Sequence, residues 1–331
     1  MSRKPTVVSL FSGVGGLDLG FEQAGYELIW ANENDLDAAK SHELNFGLPV
    51  DTRDIREITD AEFPVSDVLI GGFPCQGFSV ANMNRSATDG RNKLYLEFVR
   101  AINAAQPSLF VAENVKGILT LAKGQLFKKI KEDFAAAGYQ VIHHLFNAAD
   151  YGVPQRRERV FLLGIKSGLD SSRINFPPEP THEDKRRPTL LDLRPWISVA
   201  EALDEIPEPG VYDDFTYHQP SEYKLVFSKY LGHRPVDGEL PSPTVTGRGD
   251  SKGGVVVLPH HSGIRRMTPR ELAIIQGFPT DFKFHGTKST VYRLIANAVP
   301  PPLAKAVAKS VFPVFENSLS SPLNDQVYAT R

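Results

Sequence analysis

One cysteine in a glycine-rich segment is the residue of this chain best suited to nucleophilic chemistry. Cys75 is the single cysteine among 331 residues, and it stands in the segment GGFPCQGFS at positions 71–79. The preceding run DVLI (67–70) predicts a short buried strand, so Cys75 is expected on the loop at that strand's carboxyl end. Ligands of open α/β sheets bind at that rim. A lone cysteine is often a small buried hydrophobe, but this loop of glycines and proline favours a catalytic thiol.

A second candidate site is the turn FSGVGGLD at positions 11–18. Its glycines let the backbone approach a ligand closely, and a following helix offers free N–H groups. The turn resembles the G-x-G-x-x-G dinucleotide fingerprint, but Asp18 replaces the third glycine, so many nucleotide-like ligands fit. Glu33 ends the next predicted strand, where an acidic residue holds ribose hydroxyls, and Asp54-Ile55 is placed to contact an adenine ring. Solvated carboxylates are an equally good interpretation of Glu33 and Asp54 alone.

The elements that must position these residues alternate between strand and helix. We predict strands at 6–11, 28–32, 68–70, 108–112 and 160–165, and helices at 16–24, 35–45, 95–105 and 126–137. This alternation predicts an α/β fold with a doubly wound, mainly parallel sheet.

The pattern changes after Lys166. Residues 175–259 are rich in proline, glycine, aromatic and charged residues, which predicts a separate, loop-rich module. Helical pattern returns at 268–273, where Thr268 caps and Pro269 takes the first helical position, and a last amphipathic helix covers 303–311. We expect a large domain at 1–166, a smaller domain at 167–262 that continues into 263–285, and a return to the large domain at 286–331.

Bulk composition narrows the class of protein. A chain of this length can bury a full α/β core and a smaller second module. One cysteine excludes an internal disulfide framework and a thiolate zinc site, and the histidines lack ligand spacing, so no metal is expected. There is no signal-peptide pattern and no apolar run long enough to span a bilayer. The formal net charge of −2 neither supports nor excludes a nucleic-acid partner, because binding depends on local charge.

Six segments occur in an order that identifies a family resemblance. They are FSGVGG (11–16), PCQ (74–76), ENV (113–115), QRRER (155–159), RMTPRE (266–271) and IANAVP (295–300). Together the segments resemble the motifs of DNA (cytosine-5)-methyltransferases of the bacterial restriction-modification type. The resemblance implies a class I, Rossmann-like methyltransferase domain, with residues 167–262 as a target-recognition domain. The implied activity is sequence-specific methylation at C5 of cytosine in double-stranded DNA.

The resemblance also implies a cofactor and the residues that hold it. The cofactor is S-adenosyl-L-methionine, which leaves as S-adenosyl-L-homocysteine. The residues expected to bind it are Phe11, Gly13, Gly15, Gly16, Leu17, Glu33, Asn34, Asp54, Ile55, Pro74, Leu94, Asn297 and Val299.

The expected chemistry requires a covalent step. C5 of cytosine is a poor nucleophile, and addition of the Cys75 thiolate to C6 makes C5 enamine-like. Arg159 is placed to lower the pKa of the thiol, and Glu113 to hold the N3 edge and the exocyclic amine as charge builds. Strand alternation puts Arg157 and Arg159 on one face. The resemblance implies that Arg159 contacts the target base beside Glu113, and Arg157 is also predicted as catalytic. Glu113 alone could also be an N-capping acid. No base for the C5 proton is assigned.

Access to C6 requires the target nucleotide to leave the helical stack. Gln76 and Ser79 are candidates to fill the gap or to hold the flanking backbone. Readout of sequence is expected from loops of the central module, with Arg234, Thr244, Thr246, Arg248 and Lys252 as the candidate DNA contacts. Charges on such loops are also common as phosphate contacts or solvated groups, and no spacing rule decodes the recognition sequence.

Three other functions are compatible with parts of this pattern. An RNA-directed methyltransferase of the same fold typically carries Cys-x-Phe-Thr, whereas this chain has CQGFS at 75–79. A nicotinamide dehydrogenase would leave Cys75 and Glu113 without a role, and non-catalytic DNA-binding relatives commonly lose the nucleophile. The expected protein is a monomer without membrane contact, cytoplasmic and nucleoid-associated in a bacterium. A cognate restriction endonuclease acting on the same site without stable binding is a possible partner.

Overall fold

A seven-stranded sheet is the framework for the candidate residues. The computed structural model describes residues 3–74, 94–187, 191–211, 216–219, 235–246 and 257–316. The strands of the sheet are β1 (Thr6–Leu10), β2 (Glu27–Asn32), β3 (Val50–Asp51), β4 (Val68–Gly71), β5 (Leu109–Val115), β6 (Tyr139–Asn147) and β7 (Glu158–Lys166). Their spatial order is β3-β2-β1-β4-β5-β7-β6. All neighbours from β3 to β5 pair in parallel, and β7 is antiparallel to β5 and β6. The predicted doubly wound, mainly parallel fold is confirmed.

The sequence pattern missed two strands at the edges of this sheet, β3 and β6. β3 is only two residues long, and only two of the nine residues of β6 are buried. A partly exposed edge strand does not need a continuous apolar run. Such a run marks central strands such as β4, whose four residues are all buried. The omission therefore has a physical cause in the position of these strands.

Helices cover both faces of the sheet. The α-helices of the described residues are α1 (Gly16–Gln23), α2 (Leu36–Phe46), α3 (Leu94–Ala105), α4 (Gln125–Ala136), α5 (Val199–Leu203), α6 (Pro269–Ile275), α7 (Lys288–Asn297) and α8 (Pro301–Val311). Helices α1 and α8 lie on one face of the sheet, and α3 and α4 lie on the other. The predicted cap of α6 is confirmed: Thr268 Oγ1 accepts from the Glu271 N–H at 3.1 Å, and Pro269 is the first helical residue. Short α5 and the amphipathic α7 were not predicted as helices. None of the helices in the described ranges is long and apolar enough to cross a membrane.

Alternate side chains of the central strands pack into two separate hydrophobic cores, one on each face of the sheet. Val7 on β1 joins the core beneath α1 and α8, whereas its neighbour Val8 joins the core beneath α3 and α4. Burial on both faces explains why these strands are almost wholly apolar. The two cores fix the strand ends, and therefore the loops that follow them, in one rigid frame.

A third core lies outside the sheet. It joins α5, α6 and α7 to the loop residues Val236, Val245 and Leu258, and it also includes Val14 from the glycine turn. Leu169 and Phe176, beyond the predicted boundary at residue 166, pack against the sheet core under α1 and α8. The domain limits themselves stay a prediction.

Candidate active site

Three strand ends meet at one edge of the sheet. β1, β4 and β5 are parallel neighbours, with Leu10 beside Gly71 and Gly71 beside Ala112. The glycine turn follows β1, the segment that leads to Cys75 follows β4, and Glu113 lies near the end of β5. Since parallel strands share their carboxyl edge, the two candidate sites of the sequence form one region.

The turn after β1 bends the backbone into conformations that favour glycine. Gly13 and Gly15 have φ of 56° and 89°, and Phe11 has φ of 52°. The Gly13 N–H donates to Glu33 Oε2 at 2.9 Å, and Glu33 Oε1 accepts from the Asp35 N–H at 2.8 Å. Burial raises the pKa of Glu33, and these two N–H donors oppose the rise. The carboxylate thus ties the end of β2 to the glycine turn.

Close packing brings the segment after α7 against this turn. A Cβ atom added at Gly16 would lie 2.2 Å from the carbonyl oxygen of Val299, so only glycine permits the contact. Val299 is buried, while Asn297 at the end of α7 is exposed. Leu17 is also buried, with its side chain in the sheet core. Only the main-chain N–H of Leu17, in the first turn of α1, is left for a ligand.

The remaining predicted cofactor residues lie around the same edge. Asp54 accepts from Arg56 Nε at 2.8 Å, and this pairing lowers the pKa of Asp54 to about 2. Ile55 is buried and Asn34 is exposed. Pro74 and Leu94, which flank the gap at 75–93, are half-buried.

Two polar residues that the sequence did not single out organise this side of the site. Asn32 Nδ2 donates to the carbonyl oxygens of Asp51 and Arg53 at 2.8 and 2.9 Å, which holds the strand ends of β2 and β3 together. Arg293 on α7 reaches Asp35, with Nη1 and Oδ2 2.7 Å apart. Only the tertiary fold brings α7 beside the segment after β2, so the sequence carried no signal for this pair.

Glu113 and Arg159 form a buried ion pair at the rim. Arg159 Nε lies 2.9 Å from Glu113 Oε1, and the two side chains are only 12 and 11% exposed. The pairing follows from sheet register, because Val115 on β5 is opposite Arg159 on β7. Burial raises the pKa of Glu113, while the charges of Arg159 and Arg157 oppose that rise. Burial likewise lowers the pKa of Arg159.

The chain just before Cys75 crosses this ion pair. A Cβ atom at Gly72 would lie 3.0 Å from Glu113 Oε2, and Asn114 Nδ2 donates to the Phe73 carbonyl oxygen at 3.0 Å. Both contacts fix the start of the loop against β5. Cys75 lies outside the described residues, as do the predicted DNA contacts Gln76, Ser79, Arg234, Arg248 and Lys252.

Arg157 has surroundings unlike those of Arg159. Its side chain is fully buried, and its terminal nitrogens donate to the carbonyl oxygens of Val245 at 3.0 Å, Ala296 at 2.6 Å and Ala298 at 3.0 Å. The last two carbonyls end α7, where a cation is favoured by the helix dipole. Burial lowers the pKa of Arg157, and the charge of Arg159 adds to the effect.

Two glutamines extend this contact into a larger buried network. Gln155 Nε2 donates to Gln276 Oε1 at 2.6 Å, and Gln155 Oε1 accepts from the Val245 N–H at 3.0 Å. Gln276 Nε2 donates to the Ala298 carbonyl oxygen at 2.6 Å. We name Arg157, Gln155 and Gln276, with the three carbonyls that Arg157 binds, the Arg157 junction. It joins the strand end that carries Arg159 to the loops of Thr244 and Val299.

The predicted DNA residues Thr244 and Thr246 lie on the loop that the junction holds. Thr244 Oγ1 donates to the Arg156 carbonyl oxygen at 2.7 Å, and Thr246 is exposed.

The described part of the chain contains no cluster of histidine, cysteine, aspartate and glutamate able to hold a metal ion.

Comparison with known proteins identifies the family of this chain. The sequence model of the family described as C-5 cytosine-specific DNA methylase matches residues 5–313. The chain belongs to this family. It is therefore a DNA (cytosine-5)-methyltransferase, an enzyme of the S-adenosylmethionine-dependent class that acts on DNA. The predicted fold family and activity are confirmed, and an RNA-directed activity is not favoured.

Individual relatives agree with the family match. The type II methyltransferase M.NgoFVII of Neisseria gonorrhoeae is 37% identical over 96% of this chain and 89% of its own. M.FnuDI of Fusobacterium nucleatum is 36% identical, over 92 and 93%. A crystal structure of a DNA modification methyltransferase encoded within an E. coli prophage is similar with a TM-score of 0.70 and 26% identity, covering 94% of this chain and 99% of that one. The S. pombe Dnmt2 structure, 18% identical with a TM-score of 0.66 over 96 and 99%, shares the fold.

Proposed function

We propose that this methyltransferase acts through transient attachment of Cys75 to C6 of a cytosine turned out of the DNA helix. The thiolate sulfur forms a bond to C6, and the C5–C6 electron pair moves toward N3. Bound S-adenosylmethionine supplies the electrophilic methyl group for C5. Loss of the C5 proton then restores the double bond and expels the thiolate. The observation that carries this proposal is the position of Gly72 and Phe73, which hold the approach to Cys75 against Glu113.

Glu113 is the group proposed to protonate N3 as the thiolate adds. Burial raises its pKa, so this carboxyl binds a proton more readily than a free glutamate does, and the charges of Arg159 and Arg157 oppose that rise. Arg159, which contacts Oε1, fixes the carboxyl and leaves the second oxygen toward Gly72. The proton returns to Glu113 when the thiolate leaves. The pair thus offers both a proton and a nearby positive charge to the pyrimidine edge.

Arg157 is proposed as a positioning residue. Its hydrogen bonds go to main-chain carbonyls of the loops that carry Thr244 and Val299. One side chain thereby fixes the loop predicted to contact DNA relative to the loop predicted to contact the cofactor.

The glycine turn fits the cofactor that the family uses. Glu33 fixes Gly13, and the buried hydroxyl of Ser12 has no hydrogen-bond partner among the described residues, so it is available to a polar ligand. We assign the ribose to Glu33, the adenine to Ile55 and Asp54, and the amino-acid part to the turn Phe11–Gly16 with the main chain at Leu17. Asn34, Pro74, Leu94, Asn297 and Val299 complete the proposed contacts.

The wider role proposed is that of the modification enzyme of a type II restriction-modification system, acting as a monomer. The named type II relatives support this role. A cognate endonuclease would act on the same site without stable binding. Bisulfite sequencing of a host that expresses the chain identifies the methylated cytosines and shows whether they form one short recognition sequence.

A substitution at Cys75 tests the covalent step. We expect Cys75→Ser to abolish methyl transfer while retaining cofactor and DNA binding, because serine conserves shape but is a far weaker nucleophile at neutral pH. DNA with 5-fluorocytosine at the target should trap the wild-type enzyme covalently, since fluorine cannot leave C5 as a proton does. Undiminished turnover by the serine variant would disprove the mechanism. So would a wild-type enzyme that is fully active on cytosine and forms no adduct with the fluorinated site.

A further inference from the structure

A cationic groove lies beside the Thr244 loop, outside the site described above. It encloses about 400 Å³ and is lined by Arg156, Asp184, Arg186, Arg187 and Trp196. Cavities of several hundred cubic ångströms are the size of ordinary ligand sites. We name it the Arg156 groove.

The groove carries more positive than negative charge. Its lining has three arginines and one aspartate, and Asp184 holds Arg186 with Nε–Oδ1 and Nη2–Oδ2 distances of 2.8 and 2.7 Å. Arg187 also acts on Asp184 through its charge, and both Arg156 and Arg187 are exposed. This excess of guanidinium groups favours an anionic partner with planar, bidentate oxygen pairs such as a phosphate.

The Trp196 ring forms an ordered wall of the groove. Its Nε1–H donates to Asp150 Oδ1 at 2.9 Å, and its main-chain N–H donates to the Glu183 carbonyl oxygen at 2.9 Å. Because the only polar atom of the ring is already bonded, the ring offers packing surface and no base-reading donor. A partner held here is thus bound by charge and shape, without recognition of base edges.

The groove is fixed directly to the catalytic edge. The Arg156 N–H donates to the Ser242 carbonyl oxygen at 2.8 Å, and the Arg156 carbonyl oxygen accepts from Thr244 Oγ1 at 2.7 Å. Arg159 follows Arg156 by three residues, so their Cα atoms are at most about 11 Å apart. DNA rises about 3.4 Å per nucleotide of each strand, so this span corresponds to about three nucleotides.

We propose that the Arg156 groove binds the DNA backbone, with Arg156 and Arg187 holding phosphates within about three nucleotides of the target cytosine. The proposal rests on the DNA methyltransferase function and adds a contact surface to it. DNA is favoured over other polyanions because it is the substrate of this family and because Arg156, which is bonded to Thr244, lies three residues before Arg159. The contacts are independent of sequence and fix the register of the duplex in the cleft.

The test compares Arg156→Gln, Arg187→Gln and the double variant with wild type, using duplex DNA that contains the mapped site. We expect the slope of log affinity against log salt to become less negative by about 0.9 for each arginine that contacts one phosphate. Single methylphosphonate linkages within about three nucleotides of the target should weaken wild type but not the double variant.

Lys309→Gln is the matched control for net charge. Lys309 is exposed near the end of α8. The neighbouring Ala308 carbonyl oxygen accepts from Tyr26 Oη at 3.1 Å, and Tyr26 directly precedes β2. Lys309 therefore lies near the amino ends of the strands, away from the carboxyl edge, and the control should keep the wild-type salt slope. Arg156→Lys with Arg187→Lys retains both charges and should restore most of the slope. Circular dichroism and melting temperature establish that each variant is folded.

The outcomes separate this inference from the proposed function. An unchanged salt slope in a folded double variant, with wild type methylating DNA, overturns the groove proposal and leaves the enzyme's function standing. A wild type that transfers no methyl group to DNA contradicts the function itself. A third outcome is that the double variant loses binding to a polyglutamate peptide that wild type binds, while its salt slope on DNA stays at the wild-type value. That result would assign the groove to an acidic protein and overturn the proposal.

Discussion

Arg157 and Arg159 are two residues apart in one motif and meet opposite surroundings. Arg159 pairs with a carboxylate at the rim and keeps some exposure, whereas Arg157 is fully buried and bonds three main-chain carbonyls. The first arrangement places charge where a substrate can use it. The second uses charge to hold loops in place. The type of partner, carboxylate or carbonyl, therefore separates the arginine proposed to face the substrate from the arginine that holds loops, although both belong to one motif.

The largest effect is expected at the Arg157 junction. Arg157→Met should lower the free energy of unfolding by about 3–5 kcal/mol, because it leaves buried carbonyls of Val245 and Ala296 without donors. Ala298 would keep its bond from Gln276. Urea denaturation gives the value. Arg159→Met is the comparison variant, and it should cost far less stability because Glu113 can take up a proton. Equal losses in the two variants would contradict the distinction.

Glu113→Gln should lower the rate of methyl transfer strongly and the free energy of unfolding only slightly, the reverse of Arg157→Met. We expect methyl transfer to slow by about 10²–10⁴-fold, since glutamine cannot protonate N3, while the free energy of unfolding changes by less than about 1 kcal/mol. Single-turnover kinetics measure the chemical step, and urea denaturation measures the stability. A glutamine variant that unfolds readily but reacts at the normal rate would place Glu113 with the structural residues.

The contact between Gly16 and Val299 offers a smaller test from the cofactor side. Gly16→Ala should destabilise the fold by about 1–3 kcal/mol, because the new Cβ displaces Val299, next to the carbonyl of Ala298 that Arg157 binds. Cofactor affinity, measured by calorimetry, should fall with it. Gly13→Ala is the control, since no atom lies within 4 Å of its Cβ and only its positive φ opposes alanine. Equal losses of stability and of cofactor affinity in Gly16→Ala and Gly13→Ala would refute the packing explanation.

The pH profile of the chemical step gives the smallest effect. Burial raises the pKa of Glu113, so the proton on its carboxyl is fully present at low pH and is lost as the pH rises through that raised pKa. The single-turnover rate should therefore fall on the alkaline side, by no more than about tenfold per pH unit. The same sign holds for stability, because the folded state binds this proton more tightly than the unfolded chain. The alkaline fall should be absent from Glu113→Gln; its persistence there would assign it to another group.

Local pattern was sufficient for much of the fold. Continuous apolar runs revealed β4 and β5, since both faces of these strands are covered by helices. The helix cap at Thr268 and Pro269 could be predicted because it depends only on residues that are adjacent in the chain. β6 was missed because only two of its nine residues are buried, so it lacks a continuous apolar run. α7 was missed because its buried face contacts a core that is distant in sequence.

The sequence alone specifies the class of sheet, the order of the motifs and the residue types that chemistry at a strand edge requires. These depend on short-range patterning and on side-chain chemistry, which are properties of local sequence. The meeting of Arg159 with Glu113, and of Arg157 with carbonyls of α7 and the Thr244 loop, depends on the tertiary fold. Strand register and the packing of α7 and the Thr244 loop around Arg157 bring those partners together, and contacts across more than 80 residues leave no trace in local periodicity.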